Sequence, residues 1–157
     1  MVVRIQTGDF DIGAEMRQMT GGRTDLGAVV SFTGLVRRGG DAQAISAMTL
    51  EHYPGMTEKM LARIEAEAKE RWPLEASLII HRYGRMEPGE QIVLVAAASA
   101  HRQAAFEACQ FLIDWLKTKA PFWKLEETGE GAQWVEARES DDAATERWSL
   151  PKKGAAE

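Results

Sequence analysis

Cysteine is almost missing from this 157-residue chain: Cys109 stands alone. A single thiol excludes an internal disulfide and any metal site built from several cysteines, and it fits a reducing compartment. No run approaches the ~18 apolar residues that a membrane span needs. The opening segment, MVVRIQTGDF, lacks the long apolar core of a signal peptide. A soluble, cytoplasmic protein without membrane contact is therefore expected. Positive charge is also in short supply. Lys and Arg number 19 against 24 Asp and Glu, for a formal net charge of −5. A general nucleic-acid binder needs a basic surface, so this balance argues against nucleic acid as a partner. There is no GxGxxG, no P-loop and no G-x-S-x-G elbow. The histidines, His52, His81 and His101, show neither HxH nor HxxxH spacing, so no metal site is expected.

What is present is ordinary globular composition, with 45% hydrophobic and 27% charged residues. A chain of this length buries about two-thirds of its unfolded surface, so it needs no staples. One domain over residues 1–150 is expected, with a disordered tail over 151–157. Val2 to Ile5 reads as a short edge strand and Asp9 to Gly22 as a short helix ending at Gly21-Gly22. Ala28 to Thr33 is β-branched and reads as a buried strand. GLVRRGGD follows as a loop carrying Arg37 and Arg38, and Ala44 to Tyr53 as its return strand. Met56 to Trp72 is a helix, with a Met56–Met60–Ile64–Ala68 stripe and the pairs Glu65–Lys69 and Glu67–Arg71. Ser77 to Tyr83 is a strand, Pro88-Gly89 a turn, and Ile92 to Ala98 an almost wholly apolar, central strand. Trp123 to Thr128 and Gln133 to Ala137 form a hairpin about Gly129 to Gly131. Ser140 caps a last short helix reaching Trp148. Strands and helices mix without strict alternation, which points to an α+β fold.

The chain is organised around Ser99 to Lys124. Phe106, Cys109, Ile113 and Leu116 recur at helical spacing, with Leu112 and Trp115 widening the stripe. Pro121 stops the helix. Lys117 and Lys119 near its C-terminus agree with the helix dipole. His101 and Arg102 in the predicted first turn oppose it, unless an anion sits on the free N–H groups there. Cys109, on the apolar face, reads as an inert core residue.

Two readings stand beside each candidate. His101 and Arg102 are either surface residues or ligands to an anion at a strand-to-helix junction. Lys117 and Lys124 are either solvated or partly desolvated by Pro121, Phe122 and Trp123, where a lysine beside other cations turns into a proton donor or nucleophile. Arg37 is either a solvated loop residue or a planar clamp for phosphate. Basic residues gather before Lys124 and acidic ones follow it. A focused basic pocket on an acidic body suits a small anion better than a polyanion.

The runs FTGLVR (Phe32–Arg37), LEHYPGM (Leu50–Met56), HRYGRMEPGE (His81–Glu90), SAHRQAAFEA (Ser99–Ala108), LKTKAPFWKLE (Leu116–Glu126) and WVEAR (Trp134–Arg138) together resemble the catalytic, large subunit of molybdopterin synthase. The likeness spans about Gly27 to Trp148, in order. It implies an α+β fold of the α/β hammerhead kind with a small additional antiparallel β subdomain. It implies a sulfurtransferase that makes the dithiolene of molybdopterin from cyclic pyranopterin monophosphate. The sulfur comes from the C-terminal thiocarboxylate of a small ubiquitin-like partner ending in Gly-Gly, and the large subunit forms a homodimer within a heterotetramer. By the same resemblance Lys117 lies beside the thiocarboxylate and Lys124 is a second active-site lysine. His101, Arg102, Arg37 and Arg138 hold the pterin and phosphate. No cofactor, metal or redox centre is implied. The alternative is a non-catalytic dimeric module that binds a phosphorylated pterin or a similar anion.

Overall fold

The computed structural model describes residues 2–39, 44–135 and 139–149, the last group without the side chains of 139–142. The elements in chain order are β1 (Val2–Gln6), α1 (Ile12–Thr20), β2 (Ala28–Leu35), β3 (Ile45–His52), α2 (Met56–Arg71), β4 (Ala76–Arg82), β5 (Gly84–Met86), β6 (Gln91–Ser99), α3 (Arg102–Thr118), β7 (Phe122–Thr128), β8 (Gly131–Val135) and α4 (Glu139–Ser149). The strands form two four-stranded sheets, ordered β1-β4-β6-β2 and β5-β3-β7-β8. In the first, β1 runs parallel to β4 and the other pairs are antiparallel. The second is antiparallel throughout. This is the α+β architecture with an additional antiparallel sheet that the sequence motifs imply.

β6 explains the first sheet. It is apolar at almost every position because both of its faces are covered. Val93, Val95 and Ala97 belong to the core under α2 and α3. Leu94 and Ala96 belong to a second core with Leu78, Ile80 and Phe10, closed by Ile12, Met16 and Met19 of α1. Alternate residues of a strand face opposite sides, so one run serves both cores. α1 starts where Asp11 Oδ1 accepts from the Ala14 amide at 2.9 Å.

α3 lies on the larger core through small residues. Ala104, Ala105 and Ala108 are buried beside Cys109, Phe111, Leu112 and Leu116. Alanines let a helix approach a sheet closely, and here they occupy the side that the stripe reading assigned to Phe106. Phe106 is instead 60% exposed, while Phe111 is fully buried. Its ring meets Trp72 at 5.3 Å and Trp148 at 5.6 Å, both edge-on. Burying a ring of that size contributes about 2–3 kcal/mol. Trp148 also donates to Asp114 Oδ2 at 2.7 Å, tying α4 to α3.

Several local expectations change. The Ala28–Thr33 segment is not a buried strand: β2 is an edge, with Phe32 and Leu35 exposed. β3 is not its hairpin partner. It leaves the first sheet and pairs with β5 and β7. β5, only three residues long, had no sequence signal beyond the turn beside it. The buried side of α2 is Thr57, Leu61, Ile64, Glu65 and Ala68, with Met56 exposed. Glu67 and Arg71 pair at 2.7 Å, but Glu65 turns inward, and burial pushes its carboxyl above the usual range. Ser140 falls inside α4 rather than capping it. Ala137, Arg138 and the tail from Pro151 lie outside the described residues.

Candidate active site

The two basic ends of the central helix lie at opposite ends of the first sheet. β6 ends beside the start of β2, with Ser99 opposite Ala28, and α3 begins three residues later. The other end of that ladder pairs Leu35 with Gln91. The seventeen residues of α3 carry the chain back along the sheet by about 25 Å, at the usual rise of an α-helix.

At the first end, His101 is the N-cap, with extended backbone (φ −127°, ψ 142°) and no side-chain capping bond. Arg102 opens the helix. Both are exposed, and the first turn holds no acidic residue. With Gln103, Phe106 and Glu107 they line an open depression of about 420 Å³. Its floor is fastened by Glu107, which accepts from Trp72 Nε1 at 2.7 Å and from Gln103 Nε2 at 2.9 Å. Gly27 lies beside this corner. A Cβ there would sit 2.0 Å from the Ala100 carbonyl oxygen, so only glycine permits this approach of backbone to backbone.

At the second end, Lys117 stands exposed in the last turn of α3. The end of β4 brings His81 to the same place, on the sheet face that carries Ile79 into the larger core. His81 is 7% exposed, and its Nδ1 lies 2.8 Å from the Arg82 carbonyl oxygen. A carbonyl only accepts, so Nδ1 carries the proton and donates. Burial drives its pKa from 6.5 down to about 4, with Lys117 and His52 adding repulsion. At neutral pH this imidazole is uncharged. Its ring stacks on Phe122 at 3.8 Å between centroids and 16° between planes. Phe122 pairs across the second sheet with His52, whose ring lies 4.5 Å from that of Tyr83. His52 Nδ1 also meets Thr57 Oγ1 at 3.2 Å.

Lys124 follows Phe122 by two residues on β7, so both share a face. Lys124 pairs with Leu50, itself in the larger core, and its ammonium lies 3.5 Å from Glu126. Lys124 is thus half-buried at the sheet junction, on the side toward His81. Arg37 follows β2 at this same end of the first sheet and is exposed. The backbone of its neighbour Val36 is held on both sides, by Glu90 O at 2.8 Å and Gly89 N at 2.7 Å. Glu90 in turn meets the buried Arg82 guanidinium at 3.3 Å.

Within one chain, then, Lys117 and Lys124 flank one sheet junction, with Arg37 at that end of the first sheet, while His101 and Arg102 stand at the far end of α3. Arg138 lies outside the described residues. Sequence reasoning passed over His81, His52 and Phe122. Their signal was present in HRY and EHY, two histidines each followed closely by an aromatic at a strand end, but only the stacking of β4 on β7 and the pairing of β3 with β7 bring them together. Cys109, by contrast, is as inert as expected. Its Sγ lies 3.7 Å from the Val95 carbonyl, and burial pushes the thiol up to about 12.

Fold and site together define an α+β protein with cationic surfaces suited to small anions. Comparison with known proteins narrows this. A model of the family described as MoaE protein matches residues 5–119. The molybdopterin synthase catalytic subunit of Mesorhizobium japonicum is 60% identical over 93% of this chain and 92% of its own length. That of Pseudomonas aeruginosa is 56% identical over 94% and 99%. Among solved structures, a molybdopterin biosynthesis MoaE protein from Burkholderia ambifaria is 49% identical, covers 96% of this chain and 99% of its own, and superposes with a TM-score of 0.81. The chain belongs to the MoaE family of molybdopterin synthase catalytic subunits.

Proposed function

We propose that this chain transfers sulfur from the C-terminal thiocarboxylate of a small ubiquitin-like partner to cyclic pyranopterin monophosphate, in the cytoplasm, building the dithiolene of molybdopterin. The observation that supports the reading is that Lys117 ends α3 within electrostatic reach of His81, and that Lys124 shares a strand face with Phe122, which stacks on the same histidine. A thiocarboxylate and a cyclic phosphodiester are both anions. Bringing them together costs Coulomb repulsion that grows as water is excluded, and nearby cations offset it. Lys117 holds the thiocarboxylate and stabilises charge as sulfur attacks a substrate carbon. As the carbon–sulfur bond forms, the bond from that carbon to a cyclic-phosphate oxygen breaks, and Lys124 protonates or stabilises the departing phosphate oxygen. The acyl link that forms between partner and substrate is then hydrolysed, and a second thiocarboxylated partner supplies the second sulfur.

Arg37, His101, Arg102 and Arg138 hold the pterin and phosphate in this reading. His101 and Arg102 stand about 23 Å from Lys117 along the same helix. A small substrate does not bridge that span. A pocket using both ends therefore takes them from two copies of the chain, which supports a homodimer within the heterotetramer.

The test supplies purified protein with thiocarboxylated partner and cyclic pyranopterin monophosphate. Wild type should form dithiolene product, and Lys117→Ala should lose it by at least about 100-fold, the scale of removing one preorganised charge from a transition state. Undiminished turnover by a folded Lys117→Ala variant would remove Lys117 from the mechanism. Pterin binding without conversion by wild type would favour a binding module instead.

A further inference from the structure

His81 takes no chemical step in the mechanism above, yet its side chain is held firmly near the two lysines. Its ring is buried, its Nδ1–H is committed to the Arg82 carbonyl, and its face lies flat on Phe122 at 3.8 Å. The stack joins elements that share no hydrogen-bonded ladder. β4, which carries His81, belongs to the first sheet, and β7, which carries Phe122, to the second. Two residues beyond Phe122 on the same strand face is Lys124. Lys117 is close enough for its charge to bear on His81. The two lysines come from α3 and β7, separated by the break at Pro121, so local chain geometry does not set their spacing. The stack lies between the elements that do.

We propose that His81 is a positioning residue for sulfur transfer: stacked on Phe122, its ring fixes Lys124 and Lys117 relative to each other across the junction of the two sheets. This rests on the sulfur-transfer reading of the lysines. A flat, stacked ring resists both sliding and rotation of β7 against β4. The hydrogen bond to the Arg82 carbonyl sets the ring's plane. An aliphatic side chain would fill space without imposing a plane. Neutrality belongs to the same design, because a charged imidazole here would repel the Lys117 ammonium.

The test compares wild type with His81→Phe, His81→Ala and Phe122→Leu, each assayed with thiocarboxylated partner below its own thermal midpoint. His81→Ala and Phe122→Leu should lose kcat by on the order of 100-fold, the cost of about an ångström of misplacement, with KM for the pterin changed less than about threefold. His81→Phe keeps a flat ring and should retain kcat to within about tenfold of wild type. Amide hydrogen exchange is read alongside, without substrate. It should quicken over Phe122–Glu126 and the last turn of α3 in His81→Ala and Phe122→Leu, and not in His81→Phe. Wild-type kcat in a folded His81→Ala or Phe122→Leu, or unchanged exchange at the junction, overturns the proposal. Wild type that turns over no substrate defeats the sulfur-transfer reading itself, and the exchange data still decide whether the stack holds β7 in place.

Discussion

The two ends of α3 carry similar charges in opposite settings. At its start, His101 and Arg102 project from an open depression, exposed and without capping bonds. At its end, Lys117 stands beside a junction where two sheets meet around a buried, stacked histidine. An exposed pair of cations recognises an anion by charge and is free to adapt. A junction packed to this degree fixes distances instead. The first setting suits binding, the second chemistry. Phosphate held by flexible arginine is still held, whereas transferred sulfur must meet one carbon along one line.

The contrast can be broken at either end. Acid should strike the junction hardest. His81 has its pKa lowered in the fold, from 6.5 to about 4. The unfolded chain therefore takes up a proton first as pH falls. The stability that neutral His81 contributes is whole above 6.5 and is lost between 6.5 and 4, by up to about 3 kcal/mol. Urea unfolding at pH 7 and pH 4.5 should show a steeper loss in wild type than in His81→Phe, and equal losses would mean that the ring is accessible to protons in the fold.

At the other end the expected change is smaller and of a different kind. Arg102→Ala should raise KM for the cyclic phosphate by about tenfold, since one charge-assisted contact contributes about 1.5–3 kcal/mol when fully formed and less on an exposed surface. kcat should move little, and added salt should narrow the gap between variant and wild type. Steady-state kinetics at two ionic strengths decide this, and a kcat collapse with KM unchanged would place Arg102 in the chemistry.

The middle of the helix should respond least. The Cys109 thiol is buried, with its pKa pushed up to about 12. A thiol-alkylating reagent at pH 8 should leave native protein unlabelled and its activity unchanged, while denatured protein labels fully by mass spectrometry. Loss of activity on alkylation of the folded protein would move sulfur chemistry onto this face of α3.

Most elements were legible as segments. Helix α2 and strands β4 and β7 end within a residue or two of Pro73, Gly84 and Gly129, and β6 begins two residues after the Pro88-Gly89 turn, because those breaks act locally on the backbone. Faces were less legible. α3 buries alanines where Phe106 was expected, since closeness of approach to the sheet outweighed the size of the side chain. α2 turns Glu65 inward in the same way, against its expected surface pairing with Lys69. Strand pairing was not legible at all for β3. Alternation tells which residues share a face, and nothing in it says which strand lies alongside.

By itself, the sequence determined the residue inventory of this protein: one inert thiol, two basic clusters flanking one amphipathic helix, and motifs specific enough to point to a family. Those features are local, and composition and spacing along the chain express them directly. The tertiary structure alone decided that β3 crosses to a second sheet and that His81 lies flat on Phe122 where the two sheets meet. Such contacts join residues far apart in sequence, and they form only when the chain folds back on itself.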